Sequence, residues 1–256
     1  MGLFKKKTTA KKPAAAVFVD FEHWAISLSR SFKMKPNIRE WYKSLAERYE
    51  LVDVYFFGDF SNPLLRQEIP RIREITTGII ETQNASAHHK KDFTDFIMLD
   101  HIYQHSFQNT VNAYILFTGD GHFSSVVSYL VHKRHKTVEV FGIEGGISNS
   151  LKNTADKTFA IPTGEEIAAE RQRAILRNLK EIYDSAKSPR PTRQKTASAV
   201  AAAFECEKEE IDRLIDALIE KGYLYQTKKY FRGGHFVKIL AMNTALLKND
   251  GVWDTL

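Results

Sequence analysis

Tyr114-Ile115-Leu116-Phe117-Thr118-Gly119-Asp120-Gly121-His122-Phe123 is an apolar run that stops at Thr-Gly-Asp and passes at once into a second apolar stretch ending at Val131. The first half reads as a strand buried on both faces, because its apolar residues are continuous where a half-exposed strand would alternate. The second half reads as a helix over 123–134. A strand that feeds straight into a helix is the start of a βα unit, and the Asp120 carboxylate then sits at the C-terminal lip of the strand, where open α/β sheets bind ligands. Ala16-Val17-Phe18-Val19-Asp20 repeats the arrangement near the start of the chain. A third acidic group, Asp92-Phe93-Thr94-Asp95, opens the helix that leads into the Asp120 strand.

Apolar β-branched runs alternate with helical patterns as far as residue 161. Strands are expected at 16–20, 51–57, 78–81, 113–118, 137–141 and 158–161, and helices at 22–31, 38–49, 63–76, 92–106, 123–134 and 148–154. Pro70 should interrupt the third helix. The polar stretch 82–91 reads as a loop over the C-terminal edge. This alternation implies a mostly parallel sheet covered on both faces. On the helix beginning at 92, Phe96 and Leu99 are expected to extend the inward side together with at least one of Asp92 and Asp95, while Asp100 points away. Which of Asp92, Asp95 and Asp100 faces the sheet edge stays open.

Beyond Pro162 the pattern changes. One charged amphipathic helix over 164–186 is followed by Ser188-Pro189-Arg190-Pro191, a short helix (195–204), a longer helix (207–221) and two short strands (223–226 and 235–240). Helix, helix, hairpin is the order of a small winged-helix domain. The expected organisation is a basic tail at 1–13, an α/β domain at 14–162, a connecting helix and linker at 163–192, the winged-helix-like domain at 193–243 and a tail at 244–256.

The chain has 256 residues, 43% of them hydrophobic, which is ample for a substantial core. A single cysteine, Cys206, excludes internal disulfides and paired-cysteine zinc sites. No apolar run approaches the roughly 20 residues of a membrane span. The N-terminal lysines are not followed by an apolar segment, and Lys6 stands where a myristoylation motif needs Ser or Thr, so a cytoplasmic protein without membrane attachment is expected. Residues 1–13 hold five lysines and no acid, so most of the net charge of +6 belongs to that stretch. It can hold nucleic acid non-specifically or act as a solubilising end.

Several chemistries are excluded. Gly142-Ile143-Glu144-Gly145-Gly146 ends a strand but lacks the spacing of a dinucleotide loop, and no nucleophile elbow of the Gly-x-Ser-x-Gly kind occurs. His101 and His105 have the spacing of a helical metal pair without the glutamate of zinc proteases. Carboxylates converging from three segments suit a hard divalent cation instead, and such cations activate water on phosphodiesters.

Four motifs carry a family resemblance. Val19-Asp20-Phe21-Glu22-His23, Lys91-Asp92-Phe93-Thr94-Asp95 with Phe96-Ile97-Met98-Leu99-Asp100, Thr118-Gly119-Asp120-Gly121-His122-Phe123, and the closing Ser148-x-x-Leu151 to Ala155-Asp156-x-x-Phe159 occur in the order found in NYN domains, the PIN-like ribonuclease family. The resemblance spans about residues 16–162. It implies a parallel sheet of PIN type, a metal-dependent ribonuclease using Mg²⁺ or Mn²⁺, and RNA, single-stranded by preference, as substrate. Asp20, Asp95 and Asp120 match the family's metal-site and catalytic positions. His23 stands where the family usually has Asn, and His122 where it has a second Asp. These histidines either shift the metal preference toward nitrogen-tolerant ions, weaken the site into a non-catalytic RNA-binding regulator, or donate to a phosphate oxygen. Lys90, Lys91, Thr118, His122 and His23 are the candidate substrate-binding residues, Glu22 is a candidate compensating carboxylate, and Asp59 lies on the same expected edge.

The C-terminal unit divides its charge. The helix over 207–221 carries Glu207, Glu209, Glu210, Asp212, Asp216 and Glu220 against Lys208, Arg213 and Lys221, which argues against a major groove. Positive charge gathers at Lys187, Arg190, Arg193 and Lys195 and, with tyrosines interleaved, at Lys228, Lys229, Arg232, His235 and Lys238. The unit is similar in outline to LOTUS-type winged helices. RNA at the hairpin, or a protein partner or second copy at the acidic helix, are the two readings.

Overall fold

The computed structural model describes residues 11–82, 93–185, 191–230 and 234–256. Two compact units divide at Pro162/Thr163.

The first unit runs β1 (Ala14–Asp20), α1 (Phe21–Phe32), α2 (Ile38–Arg48), β2 (Glu50–Gly58), α3 (Pro63–Arg66), α4 (Ile69–Arg73), β3 (Gly78–Glu81), α5 (Phe93–Gln108), β4 (Ala113–Phe117), α6 (Ser124–Ser128), β5 (Thr137–Ile143), α7 (Asn149–Thr154) and β6 (Lys157–Ile161). All six strands are parallel, in the order β3-β2-β1-β4-β5-β6. The order reverses between β1 and β4, and a crevice opens at the C-terminal ends of strands at such a point.

Alternation along the central strands sorts the core into two layers. Ala15, Val17 and Val19 of β1, with Ala113, Ile115 and Phe117 of β4, pack against Trp24 and Leu28 of α1 and Trp41 and Leu45 of α2. Ala16 and Phe18, with Tyr114 and Leu116, pack on the other face against Met98 and Ile102 of α5 and Val126 and Val127 of α6. Both faces of β1 and β4 are covered, which is why neither strand alternates in hydropathy.

Three expectations are corrected here. The helix read over 63–76 is two short helices, because Pro70 cannot continue the first and instead begins the second. The helix read over 123–134 is a 3₁₀ turn (Gly121–Phe123), α6, and a π turn (Tyr129–Lys133). Phe96 does not extend the inward side of α5: it is 66% exposed, while Met98, Ile102 and His105 form the buried stripe.

One buried charge lies within the inner strand β5, opposite Ile115 of β4. Glu139 in β5 is fully buried, accepts two hydrogen bonds from Arg48 Nη1 (2.7 and 2.8 Å) and one from the Tyr49 hydroxyl (3.0 Å), and has Lys157 Nζ at 3.8 Å. Replacing it by alanine strands the Arg48 cation and the Tyr49 hydroxyl. Glu139→Ala is expected to lower stability by about 3 kcal/mol, the low end for breaking a buried pair, since Arg48 is 37% exposed and can rehydrate. Urea unfolding measures this, and a loss below about 1 kcal/mol would show that the pair contributes no more than a surface bridge.

The second unit comprises α8 (Gly164–Ser185), α9 (Arg193–Phe204), α10 (Lys208–Glu220), an antiparallel hairpin of β7 (Leu224–Tyr230) and β8 (Phe236–Met242), and α11 (Thr244–Asn249). Ile175, Leu176 and Leu179 of α8, Val200 of α9, Ile211, Ile215 and Leu218 of α10, and Leu224 and Leu240 of the hairpin form its core. The residues after 243, read as a tail, instead form α11 and a 3₁₀ turn (Trp253–Thr255), and Leu247 is fully buried in that core. Arg193 belongs to no free basic cluster. It clasps Asp212 (Nε–Oδ1, 2.8 Å) and Asp216 (Nη2–Oδ2, 2.8 Å), and Arg171 pairs with Glu210, so three acids of α10 have arginine partners within the unit. Lys187, Arg190 and Arg232 lie outside the described residues. No described helix is long and apolar enough to cross a membrane.

Candidate metal centre

Asp20 closes β1 and caps α1. Its Oδ1 accepts the His23 N–H at 2.9 Å, satisfying one of the donors that a helix start leaves open. The position follows from the strand: Asp20 pairs with Phe57 at the end of the β1/β2 register, so its carboxyl emerges where the sheet stops. It is only 7% exposed. Burial pushes its pKa up to about 8; the His23 hydrogen bond opposes this, while Asp95, Glu22 and Asp120 raise it further. Among the described residues no lysine or arginine pairs with Asp20 or Asp120.

Asp120 lies three residues beyond the end of β4. The ladder continues one step past the strand, through Thr118 N–H to Phe141 O (2.9 Å), and Thr118 Oγ1 then accepts the Asp120 N–H (3.2 Å). Asp120 Oδ1 accepts the His122 N–H (2.8 Å) and lies 3.2 Å from His122 Nδ1. Thr118 was expected to touch phosphate, but it is fully buried and acts by fixing the turn that presents Asp120.

Gly119 makes that turn possible. A Cβ there would stand 2.3 Å from the Gly146 carbonyl oxygen and 3.1 Å from His23 Nε2, while Gly119 O accepts the Ser148 N–H at 3.0 Å. The loop after β4 therefore rests directly on the Gly145-Gly146 turn after β5.

Asp95, in the first turn of α5, Asp120 and His122 each bring one ligand atom within 4.8 Å of the others. The strand pattern put Asp120 at this edge, helical spacing brought at least one of Asp92 and Asp95 there, and the family resemblance singled out Asp95; that His122 joins them follows from the 3₁₀ turn after Asp120, which no periodicity reveals. His23 offers a further donor: its Nε2 is buried without a hydrogen-bond partner among the described residues, and burial lowers its pKa so that the ring is held neutral, against the opposing pull of Asp120. The donor set fits a divalent cation. Carboxylate oxygens with one or two imidazole nitrogens match such an ion, whose oxygen ligands sit about 2.0–2.6 Å away, and the charges of Asp95, Glu22 and Asp120 gathered on buried Asp20 favour positive charge there.

The remaining candidates fall away from this cluster. Asp100 is exposed and accepts from Gln104 Nε2 (2.7 Å). Asp59 Oδ1 accepts the Ser61 N–H (3.0 Å) and closes a turn. His105 contacts the Tyr114 hydroxyl (2.9 Å) and Asp53 (3.1 Å) in a largely buried network, while His101 Nδ1 contacts Ile97 O (3.0 Å), so the two histidines are engaged separately. Glu22 accepts the Asp59 N–H (3.3 Å) and adds its charge beside Asp20. Glu81, which the sequence reading passed over, accepts the Phe60 N–H (3.0 Å) at the neighbouring strand end. Lys90, Lys91 and Asp92 lie outside the described residues.

Residues 14–162 match the family described as NYN domain. No curated protein matches the chain. A protein of unknown function from Vibrio parahaemolyticus, known from a crystal structure, is similar in fold, with a TM-score of 0.54 and 20% sequence identity over 60% of this chain and 96% of that one.

Proposed function

The chain belongs to the NYN domain family, and from that premise we propose that it is a metal-dependent ribonuclease cutting single-stranded RNA at the C-terminal ends of β1 and β4. The observation that carries this reading is the meeting of Asp95, Asp120 and His122 beside buried Asp20 at the point where the strand order reverses. A divalent cation held there, Mg²⁺ or Mn²⁺, supplies a more acidic water and charge to offset that of the phosphate.

The chain's own groups do the rest. Asp95 and Asp120 supply ligand oxygens, with His122 as a nitrogen donor beside them. Asp20, which caps the α1 N-terminus, would take its charged form beside a bound cation and add its carboxylate to the acids around the centre. Thr118 and Gly119 fix the height of Asp120 above the sheet. His122, with its side chain 75% exposed, stands at the mouth and can donate to a phosphate oxygen. Lys90 and Lys91 precede Asp95 in the chain and are proposed to steer the strand toward the acids.

Cleavage of an end-labelled single-stranded RNA tests this with Mg²⁺, Mn²⁺ or EDTA, with Asp120→Asn alongside. Cutting in either metal, absent in EDTA and reduced by at least about 100-fold in the variant, is expected. RNA bound but uncut in both metals would make the chain a non-catalytic RNA-binding regulator.

A further inference from the structure

The hairpin of the second unit has two different halves. At its root, Leu224 and Leu240 are 1% and 0% exposed and belong to the core. At its far end the cross-strand pairs Lys228↔Lys238 and Tyr230↔Phe236 follow each other along the ladder. Directly paired residues share a face of a sheet, and so do residues two apart along a strand, so these four side chains project together. All four are exposed, Tyr230 by 67% and Phe236 by 45%.

Their internal geometry matches a particular ligand. The two rings lie 5.8 Å apart at 52°, both exposed, and Lys228 Nζ stands over the Phe236 ring, 4.6 Å from its centroid. Neither Lys228 nor Lys238 is ion-paired with any described residue. The strand rise puts the lysine tier about 7 Å from the aromatic tier. A surface with open rings at one level and uncompensated ammonium groups at the next offers a stacking face for a base and cations for the neighbouring phosphates, which is how single strands are held without sequence reading. A duplex hides its base faces and has no use for such rings. A hydrophobic protein partner would leave both lysines to be desolvated without anions.

The α10 helix does not offer nucleic acid a positive face. It carries Glu209, Glu210, Asp212, Asp216 and Glu220 against Lys208 and Arg213, and Arg193 and Arg171 are engaged by its acids. The hairpin strands, by contrast, contain three lysines and no acid.

We propose that Lys228, Lys238, Tyr230 and Phe236 form a stacking platform for single-stranded RNA, a holding site on the second unit separate from the acidic centre of the first. The choice of RNA over DNA rests on the ribonuclease reading; the platform itself does not.

Fluorescence anisotropy of the full chain with a short labelled oligouridylate, in EDTA so that no divalent cation takes part, tests this. Tyr230→Ala with Phe236→Ala is expected to weaken binding about tenfold or more, while Tyr230→Phe stays within about twofold because the ring is kept. Lys228→Ala with Lys238→Ala should reduce the slope of log affinity against log salt by about 1.4. Thermal melts of the same variants, which alter exposed side chains, show whether the unit is folded. Equal binding by wild type and the aromatic double variant overturns the proposal, as does an unchanged salt slope, tighter binding of duplex than single strand, or single-stranded DNA bound tenfold better than RNA. Loss of cleavage with this binding intact would count against the ribonuclease reading alone.

Discussion

Asp20→Asn is expected to make the metal-free protein more stable at pH 8 while removing the metal-dependent cleavage proposed for it. In the folded chain Asp20 keeps its proton up to about pH 8, whereas in the unfolded chain it loses it near 3.8. Between those values the folded state binds more protons than the unfolded state, so stability falls as pH rises from about 4 to about 8 and levels off above. Asparagine cannot ionise, keeps an oxygen for the His23 N–H, and removes that penalty. Each tenfold displacement of the proton equilibrium is worth about 1.4 kcal/mol, so a gain of at least about 2 kcal/mol at pH 8 is expected, with little change at pH 4. That corresponds to a rise of about 4–8 °C in the transition of a unit this size. The same logic makes divalent-cation affinity rise with pH up to about 8 in the wild type, since the proton must leave as the ion arrives, and that dependence should flatten in the variant. Melting at the two pH values in EDTA decides the matter. A variant less stable at pH 8 would mean that Asp20 serves as a structural cap and carries no stored electrostatic strain.

Gly119→Ala should produce the second large effect, by geometry alone. The added carbon would lie 2.3 Å from the Gly146 carbonyl oxygen, a backbone atom that has no rotamer to escape into. The loops after β4 and β5 must part, and Asp120 rides on the first of them. Overpacking of this kind costs about 1–3 kcal/mol, and a displacement of about 1 Å at a reacting group lowers rate roughly 100-fold. Gly145→Ala is the control: its φ of +76° strains alanine, but nothing lies within 4 Å of the new carbon, so stability drops by about 1 kcal/mol while the site stays put. Cleavage at the wild-type rate by Gly119→Ala would show that the loop contact does not set the position of Asp120.

How much of this was legible in the sequence depended on whether the signal was local. Asp20 and Asp120 stood out because β1 and β4 are buried on both faces, so their apolar runs end abruptly at the acid. Helical spacing brought at least one of Asp92 and Asp95 near the same edge, with Asp95 singled out only by the family resemblance, and the same wheel put Phe96 inward, where α5 in fact exposes it; a helix buried on one stripe leaves room for only three or four residues per two turns. His122 was marked as a departure from the family pattern, but its approach to Asp95 depends on a 3₁₀ turn and on the packing of α5, which are tertiary facts. The Gly119–Gly146 contact links segments 27 positions apart and has no sequence period at all. Arg193 misled in the same way: as sequence it joined a basic cluster, whereas in the fold the acidic face of α10 draws it inward.

Asp95, Asp120 and their neighbours, where the strand order reverses between β1 and β4, are proposed to hold a divalent cation. Titration of Mn²⁺ at pH 8, followed by electron paramagnetic resonance of the free ion, measures this directly on the full chain and on an Asp95→Asn, Asp120→Asn double variant. Stoichiometric binding by the wild type that weakens by about 100-fold in the double variant is expected, with the fold of both retained. Equal Mn²⁺ binding by the two proteins, or none by either, would rule out a cation site built on these two carboxylates.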